Sequence, residues 1–261
     1  LDCPAIGTLY GARNGVEGML RENLIDLSAF FGGETREERL RLLACTPAAA
    51  LGSCRRKLPG DPDAPEYAAL FEIFAKNNIH YFFYIGGNDS MDTVAKLSAA
   101  SERAGYPLRV VGVPKTIDND VAGTDHTPGY GSAAKYIATS MQEILRDCAV
   151  YTVRAVTIVE IMGRDAGWLT TAAALPRVNG AGPDLIYLPE RTFSFERFYA
   201  DVERALERHP NVVVAVSEGL RCEDGRYVGE GAQSGAVDVF GHKYLSGTGK
   251  ALELAVKERL G

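Results

Sequence analysis

Four short stretches of this sequence hold residue types that could grip or act on an anionic ligand. The first is Gly86-Gly87-Asn88-Asp89-Ser90, where paired glycines let a phosphate approach the backbone and a following helix would offer unpaired N–H groups and a favourable dipole. The second gathers Lys115, Thr116, Asp118 and Asp120 around Ile117 and Asn119. The third is Met162-Gly163-Arg164, whose guanidinium can bind a phosphate through two parallel hydrogen bonds. The fourth is Ser217-Glu218-Gly219. Each has a plainer reading as well: a Gly-Gly tight turn, aspartates that favour turns for local hydrogen bonding, a lone glutamate closing a strand.

The elements that must carry these stretches decide between the readings. Short apolar runs bounded by Gly, Pro or Asn predict strands at residues 6–10, 81–85, 109–113, 155–161, 184–188 and 212–217. They alternate with segments of helical period, including residues 91–104, a stripe of Tyr67, Leu70, Phe71, Phe74 and Ala75, and another of Phe198, Val202, Ala205 and Leu206. That alternation predicts an α/β fold of βαβ units with mainly parallel sheets, most strands being apolar on both faces and hence buried between helix layers. Residues 58–65 and 179–183 predict surface loops. All four candidate stretches follow a predicted strand, and the carboxyl edge of an open α/β sheet is where ligands bind. Four polar strand ends in one chain favour a site over four coincidental turns.

Composition narrows the ligand. A net charge of −6 over 261 residues argues against a nucleic-acid binder, which needs clustered Lys and Arg. The five cysteines include no C-x-x-C pair and predict free thiols in a reducing cytoplasm rather than a disulfide framework. No apolar run approaches the roughly 20 residues that span a bilayer. The start, Leu1-Asp2-Cys3-Pro4, is neither an initiator Met nor a signal peptide, and reads as the beginning of a partial chain. No G-x-G-x-x-G opens a helix after a strand, which disfavours a dinucleotide-dependent oxidoreductase.

Taken in order, the four stretches resemble the phosphofructokinase family, and within it the pyrophosphate-dependent branch. The likeness extends to Leu9-Tyr10-Gly11-Ala12-Arg13-Asn14-Gly15 and Leu51-Gly52-Ser53-Cys54-Arg55 and covers nearly the whole chain; Pro-Lys-Thr-Ile-Asp-Asn-Asp is its most specific part. The resemblance implies two Rossmann-like three-layer domains, a donor-binding one at residues 1–128 and a fructose 6-phosphate-binding one at residues 129–261. It implies that Asp118 is the general base for the sugar's 1-hydroxyl, with Thr116 and Asp120 positioning hydroxyl, phosphate and metal. Thr116, Ile117, Asp118, Met162, Gly163, Arg164 and Glu218 would contact fructose 6-phosphate; Gly87, Asn88, Ser90, Arg55 and Lys115 would contact the donor phosphates. A cytoplasmic glycolytic enzyme using Mg²⁺, assembled as a homodimer or homotetramer, is the corresponding expectation.

Donor choice rests on two residues. ATP-using relatives carry Gly where this chain has Asp89, and Gly again at Lys115. A carboxylate at Asp89 would stand where the α-phosphate of ATP must pass; like charges about 4 Å apart at an effective dielectric near 20 repel by about 4 kcal/mol, on the order of a thousandfold in affinity. Lys115 would meet the charge of the transferring group or the departing phosphate. The bland reading of Asp89 is a helix N-cap.

The chain departs from the family pattern at several places. Asn88 replaces a metal-binding Asp, so as a Mg²⁺ ligand it is one charge short. Ala155 stands where relatives offer a neighbouring subunit's basic residue to the sugar phosphate, and Arg154 is one place away, on the other face of a strand. The family's first strand and last sugar-phosphate segment have no counterpart here. His80, His126, His209 and His242 match no catalytic position and are expected to pack or face solvent. An ATP-dependent phosphofructokinase and a non-catalytic subunit of the same fold are the alternatives.

Overall fold

The computed structural model describes residues 3–231 and 247–261. Leu1, Asp2 and His242 lie outside the described residues. The chain forms two compact units, Leu1–Pro114 and Lys115–Gly261. The division thus falls after Pro114, which groups residues 115–128 with the second unit.

In the first unit, β1 (Tyr10–Ala12) pairs antiparallel with β2 (Leu24–Asp26), with α1 (Gly15–Leu20) between them. The strand expected over residues 6–10 is therefore displaced: Ile6 is exposed, and pairing begins only at Tyr10, opposite Asp26. Two further helices, α2 (Leu27–Phe30) and α3 (Arg36–Cys45), precede α4 (Pro65–Lys76), where Pro65 occupies the first turn, a place that needs no amide donor. A parallel pair follows, β3 (Tyr81–Gly86) and β4 (Arg109–Pro114), linked by α5 (Asn88–Ala104).

Tyr67, Leu70, Ile73 and Phe74 of α4 pack with Phe82 of β3 and Leu97 of α5. Ala75, placed in the buried stripe by its spacing, is exposed, and Ile73 takes that role. Leu58, expected on a surface loop, belongs to this core and is buried. The β3–β4 pair is not buried on both faces: Phe82 is 8% exposed, whereas its neighbours Tyr81 and Phe83 are 69% and 58% exposed. Residues of α1, α4 and α5 share the core with Phe82, on the face where a Cβ on Gly112 would meet Met91 Sδ at 2.7 Å.

The second unit is three-layered. It comprises α6 (Tyr130–Cys148), β5 (Ala155–Ile161), α7 (Trp168–Thr171) with a 3-10 segment Ala172–Asn179, β6 (Leu185–Tyr187), α8 (Phe195–Leu206), β7 (Asn211–Ser217), a 3-10 turn Val228–Gly231 and α9 (Thr248–Leu260). The parallel sheet runs β5-β7-β6. Its central strand β7 is apolar on both faces, as a strand between helix layers must be. Val212, Val214 and Val216 meet Phe198 and Val202 of α8 and Leu252 of α9, while Val213 and Ala215 meet Met141 of α6 and Leu169 of α7. Among the described residues all five cysteines are free, and no helix is long and apolar enough to cross a membrane. His80 stacks on Tyr106, His126 packs edge-on to Tyr130, and His209 bonds Asp184 at 2.8 Å.

Candidate active site

The expected donor loop leaves β3 at Gly86, which pairs with Pro114 of β4, so the runs beginning at Gly87 and Lys115 leave the same strand edge. Gly86 has no room for a side chain: a Cβ there would lie 2.0 Å from Ser90 Oγ. Gly87 is the N-cap of α5, and its carbonyl accepts from the N–H groups of Ser90 (2.9 Å) and Met91 (3.1 Å). Asn88 is the first residue of the helix and exposed. Asp89 is therefore not the cap; it lies in the first turn, where a carboxylate suits the helix dipole. Its Oδ1 stands 3.1 Å from Lys57 Nζ, a partner that local sequence reading missed because the two residues are far apart along the chain.

Arg55 is exposed on a loop tied to the first strand by Asn14, whose backbone N–H donates to the Leu51 carbonyl (2.7 Å) and whose Nδ2 donates to the Ser53 carbonyl (3.1 Å). Asn14 holds φ 61, a left-handed conformation that Asn tolerates better than most residues. The two family-like stretches near the amino end are thus one local structure.

In the second unit, Thr116 Oγ1 accepts from the Asp118 backbone N–H at 3.0 Å, closing the turn that presents Asp118. The residue that fixes the loop is Asn119, buried at φ 61: its Oδ1 accepts from Thr127 N–H (2.8 Å) and its Nδ2 donates to the Asp125 carbonyl (3.2 Å). Asn119 was read only as part of a motif, yet its tolerance of a left-handed turn was the available signal. Ile117 packs into the α6–β7 core, Lys115 is exposed, and Asp120 is exposed beside Asp118.

Burial pushes the Asp118 carboxyl above the ordinary aspartate value of 3.8, and the Asp120 charge pushes the same way; the Thr116 bond and the Arg164 guanidinium oppose, and Glu218 adds a smaller upward push. Thr116, Asp118, Asp120, Arg164 and Glu218 therefore share one electrostatic neighbourhood. A carboxyl held partly from water, with its proton affinity raised, suits a proton acceptor that works near neutral pH.

Glu218, directly after β7, closes the neighbouring loop. Its Oε1 accepts from the N–H groups of Gly163 and Arg164, both at 3.0 Å. Gly163 has φ 142, a region open to glycine, and Arg164 has φ 51, a left-handed conformation whose cost to a non-glycine residue the Glu218 bonds help offset. Gly219 completes the fit, because a Cβ there would lie 1.7 Å from the Arg164 carbonyl oxygen. Met162 is 55% exposed and the Arg164 side chain faces solvent, so both stand clear of the core. Arg154 is exposed just before β5, at the end of that strand opposite Met162. Among the described residues no three His, Cys, Asp or Glu side chains cluster as a metal centre.

A phosphofructokinase family model matches residues 5–261. The chain belongs to the phosphofructokinase family. Over 260 residues it is 44% identical to the pyrophosphate–fructose 6-phosphate 1-phosphotransferase of Methylococcus capsulatus, covering 98% of this chain and 60% of that protein. It is 36% identical over 253 residues to the sulfofructose kinase of Alkalicoccus urumqiensis, covering 97% of this chain and 62% of that one. The crystal structure of a pyrophosphate-dependent phosphofructokinase from Nitrosospira multiformis superposes with a TM-score of 0.77 at 37% identity, over 98% of this chain and 58% of that one. The α/β architecture with parallel sheets is thus a phosphofructokinase fold, and the chain spans about three-fifths of the length of the relatives it matches.

Proposed function

We propose that this protein transfers a phosphoryl group reversibly from pyrophosphate to the 1-hydroxyl of fructose 6-phosphate, as the glycolytic enzymes of its family do. The observation that carries the reading is the setting of Asp118: half-buried, raised in proton affinity, and within the fields of Asp120, Arg164 and Glu218. In the forward step Asp118 accepts the hydroxyl proton as the sugar oxygen bonds to phosphorus. The bridging P–O bond breaks, and phosphate departs with fructose 1,6-bisphosphate as the other product. Arg164 grips the 6-phosphate bidentately, and Met162, Gly163 and Glu218 shape the sugar's seat. The donor phosphates meet Gly87, Asn88 and Ser90 at the start of α5, with Arg55 and Lys115 supplying positive charge.

Support for pyrophosphate as donor comes from Asp89, whose carboxylate stands in the first turn of α5, and from the names of the relatives. Mg²⁺ fits this chemistry, because the Asp120 charge already acts on Asp118 and a cation there would relieve that repulsion. Asn88, Asp89 or Asp120 could each be a ligand, directly or through water, and the ion would neutralise phosphate charge while taking its other ligands from water and substrate. We assign the donor loop to the first unit and the sugar-phosphate residues to the second, in a cytoplasmic homodimer or homotetramer.

The test is product formation with pyrophosphate and ATP side by side and with fructose 6-phosphate against a sulfonated fructose. Pyrophosphate with fructose 6-phosphate should give the highest kcat/KM. Preference for ATP would overturn the donor assignment, preference for the sulfonated sugar the acceptor assignment, and absence of turnover with bound substrates would identify a non-catalytic subunit.

A further inference from the structure

The residues assigned to the sugar phosphate are tied to a helix far along the chain. Glu160 belongs to β5 and, like Val156 and Ile158, faces α9; a carboxylate among such neighbours needs polar partners. It finds them at the start of α9. Glu160 Oε1 accepts from the Gly247 N–H at 3.0 Å, and Oε2 accepts from the Gly249 N–H at 2.8 Å. A charged acceptor on the unpaired amides of a helix start is among the stronger hydrogen-bond arrangements. Gly249 has little slack there, since a Cβ on it would lie 3.1 Å from Glu160 Oε2.

The residue between these two amides makes a second tie. Thr248 is fully buried, and its Oγ1 donates to the backbone carbonyl of Glu218 at 2.9 Å. Glu218 in turn holds the Gly163 and Arg164 amides. One residue, Ile161, separates Glu160 from Met162, so a closed circuit forms: β5 through Glu160 to α9, α9 through Thr248 to Glu218, and Glu218 back to the loop that follows β5. We infer that Glu160 and Thr248 are positioning residues through which the first turn of α9 sets Glu218 and the left-handed Gly163-Arg164 turn for the sugar phosphate. This rests on the sugar-phosphate reading proposed above, but the mechanical coupling does not require it.

The experiment separates the two. Thr248→Val, Thr248→Ser and Glu160→Gln are compared with Leu252→Ala, which removes a buried side chain of α9 from the α8–β7 core without touching its first turn. Hydrogen exchange at the Gly163 and Arg164 amides reads the coupling directly. Loss of one hydrogen bond in the circuit should speed it by about tenfold in Thr248→Val and Glu160→Gln. Thr248→Ser should restore the wild-type rate, and Leu252→Ala should lower Tm without this local change. Unchanged exchange, or equal acceleration in Leu252→Ala, overturns the inference. Fructose 6-phosphate titration of the same proteins then tests the reading beneath it: a raised KM for the sugar, with kcat and the pyrophosphate KM nearly unchanged, is expected in Thr248→Val. If the coupling is present but wild type binds no fructose 6-phosphate, the substrate assignment fails and the coupling stands. Should Thr248→Val not fold, Glu160→Gln carries the same comparison, because its amide can still accept.

Discussion

The two units hold their candidate site residues in different ways. In the second unit the side chains that surround Asp118 rest on hydrogen bonds to backbone amides: Glu218 on Gly163 and Arg164, Asn119 on Thr127, Thr116 on Asp118. Glu218 and the Gly163-Arg164 turn follow a sheet whose central strand is buried from Val212 to Ser217, whereas the Thr116–Asn119 turn follows β4 and is anchored through Asn119 to Thr127. In the first unit the donor loop follows strands with one exposed face, and its distinctive charge, Asp89, is met by Lys57 in a pair that is about one-third exposed on each side. On the proposed function, acceptor geometry is built into the fold, whereas donor choice is carried by side chains on a surface. Substitutions should change donor preference at small cost to the fold and acceptor chemistry only at large cost to turnover.

The largest effect is expected at Asp118. Asp118→Asn should lower turnover by at least about a hundredfold while fructose 6-phosphate affinity changes little, as loss of a general base does. Stability should move the other way. The folded-state pKa of Asp118 is raised above its unfolded value of 3.8, so the native state binds this proton more tightly than the unfolded chain. Its contribution to stability is fully present below pH 3.8 and is lost as pH rises through the folded pKa. At neutral pH the charged carboxylate therefore works against folding, and Asp118→Asn should have a Tm equal to or above wild type, the difference closing in acid. The wild-type kcat/KM should also fall on the acid side with the raised pKa of this group. A variant keeping more than about a tenth of wild-type turnover, or one less stable than wild type at neutral pH, would make Asp118 a structural residue.

A smaller effect, of the opposite kind, is expected at Asp89. Asp89→Gly removes the charge and opens the first turn of α5, and the ratio of kcat/KM for ATP to that for pyrophosphate should rise by at least about tenfold, a part of the roughly 4 kcal/mol estimated for the full repulsion. Pyrophosphate activity should fall moderately. Gly costs about 1 kcal/mol in a helix interior and less near its start, so Tm should change little. A donor ratio that stays put would leave Asp89 as a charge that merely suits the helix dipole, and donor choice would have to be sought at Lys115 or beyond.

Part of the fold is legible in the sequence, but the contrast between the two sheets is not. Residues 155–161 predict a strand with the bounds that β5 adopts, because six of the seven are apolar or β-branched. The antiparallel β1–β2 pair was not legible, since Leu24-Ile25-Asp26 is too short to stand out from a loop. The exposed face of β3 was hidden for a different reason. Tyr81-Phe82-Phe83-Tyr84-Ile85 is apolar at every position, and such a run reports what a strand can bury rather than what covers it. At the site, each polar strand end could be read locally, whereas Lys57, Glu160 and Thr248 could not. Their roles come from partners 30 or more residues away, and no spacing rule encodes those.

The smallest effect tests the comparison at its finest point, the pairing of Lys57 with Asp89. An exposed ion pair contributes about 0–1 kcal/mol to stability, so Lys57→Met should leave Tm almost unchanged. Its effect on donor choice should still be measurable. With the ammonium 3.1 Å from Asp89 Oδ1, part of the carboxylate charge proposed to oppose ATP is masked. Removing the ammonium unmasks it, so ATP should lose more than pyrophosphate, and the donor ratio should move a further two- to threefold away from ATP, about 0.5 kcal/mol. Loss of general attraction for phosphate would lower both donors together and leave the ratio alone, which separates it from the pair's own effect. The double-mutant cycle completes the test: in the Asp89→Gly background, where no carboxylate remains to be masked, Lys57→Met should not move the ratio. The same shift in both backgrounds would mean that Lys57 meets the donor directly, and that the charge of Asp89 acts on ATP at its full strength without a neighbour to temper it.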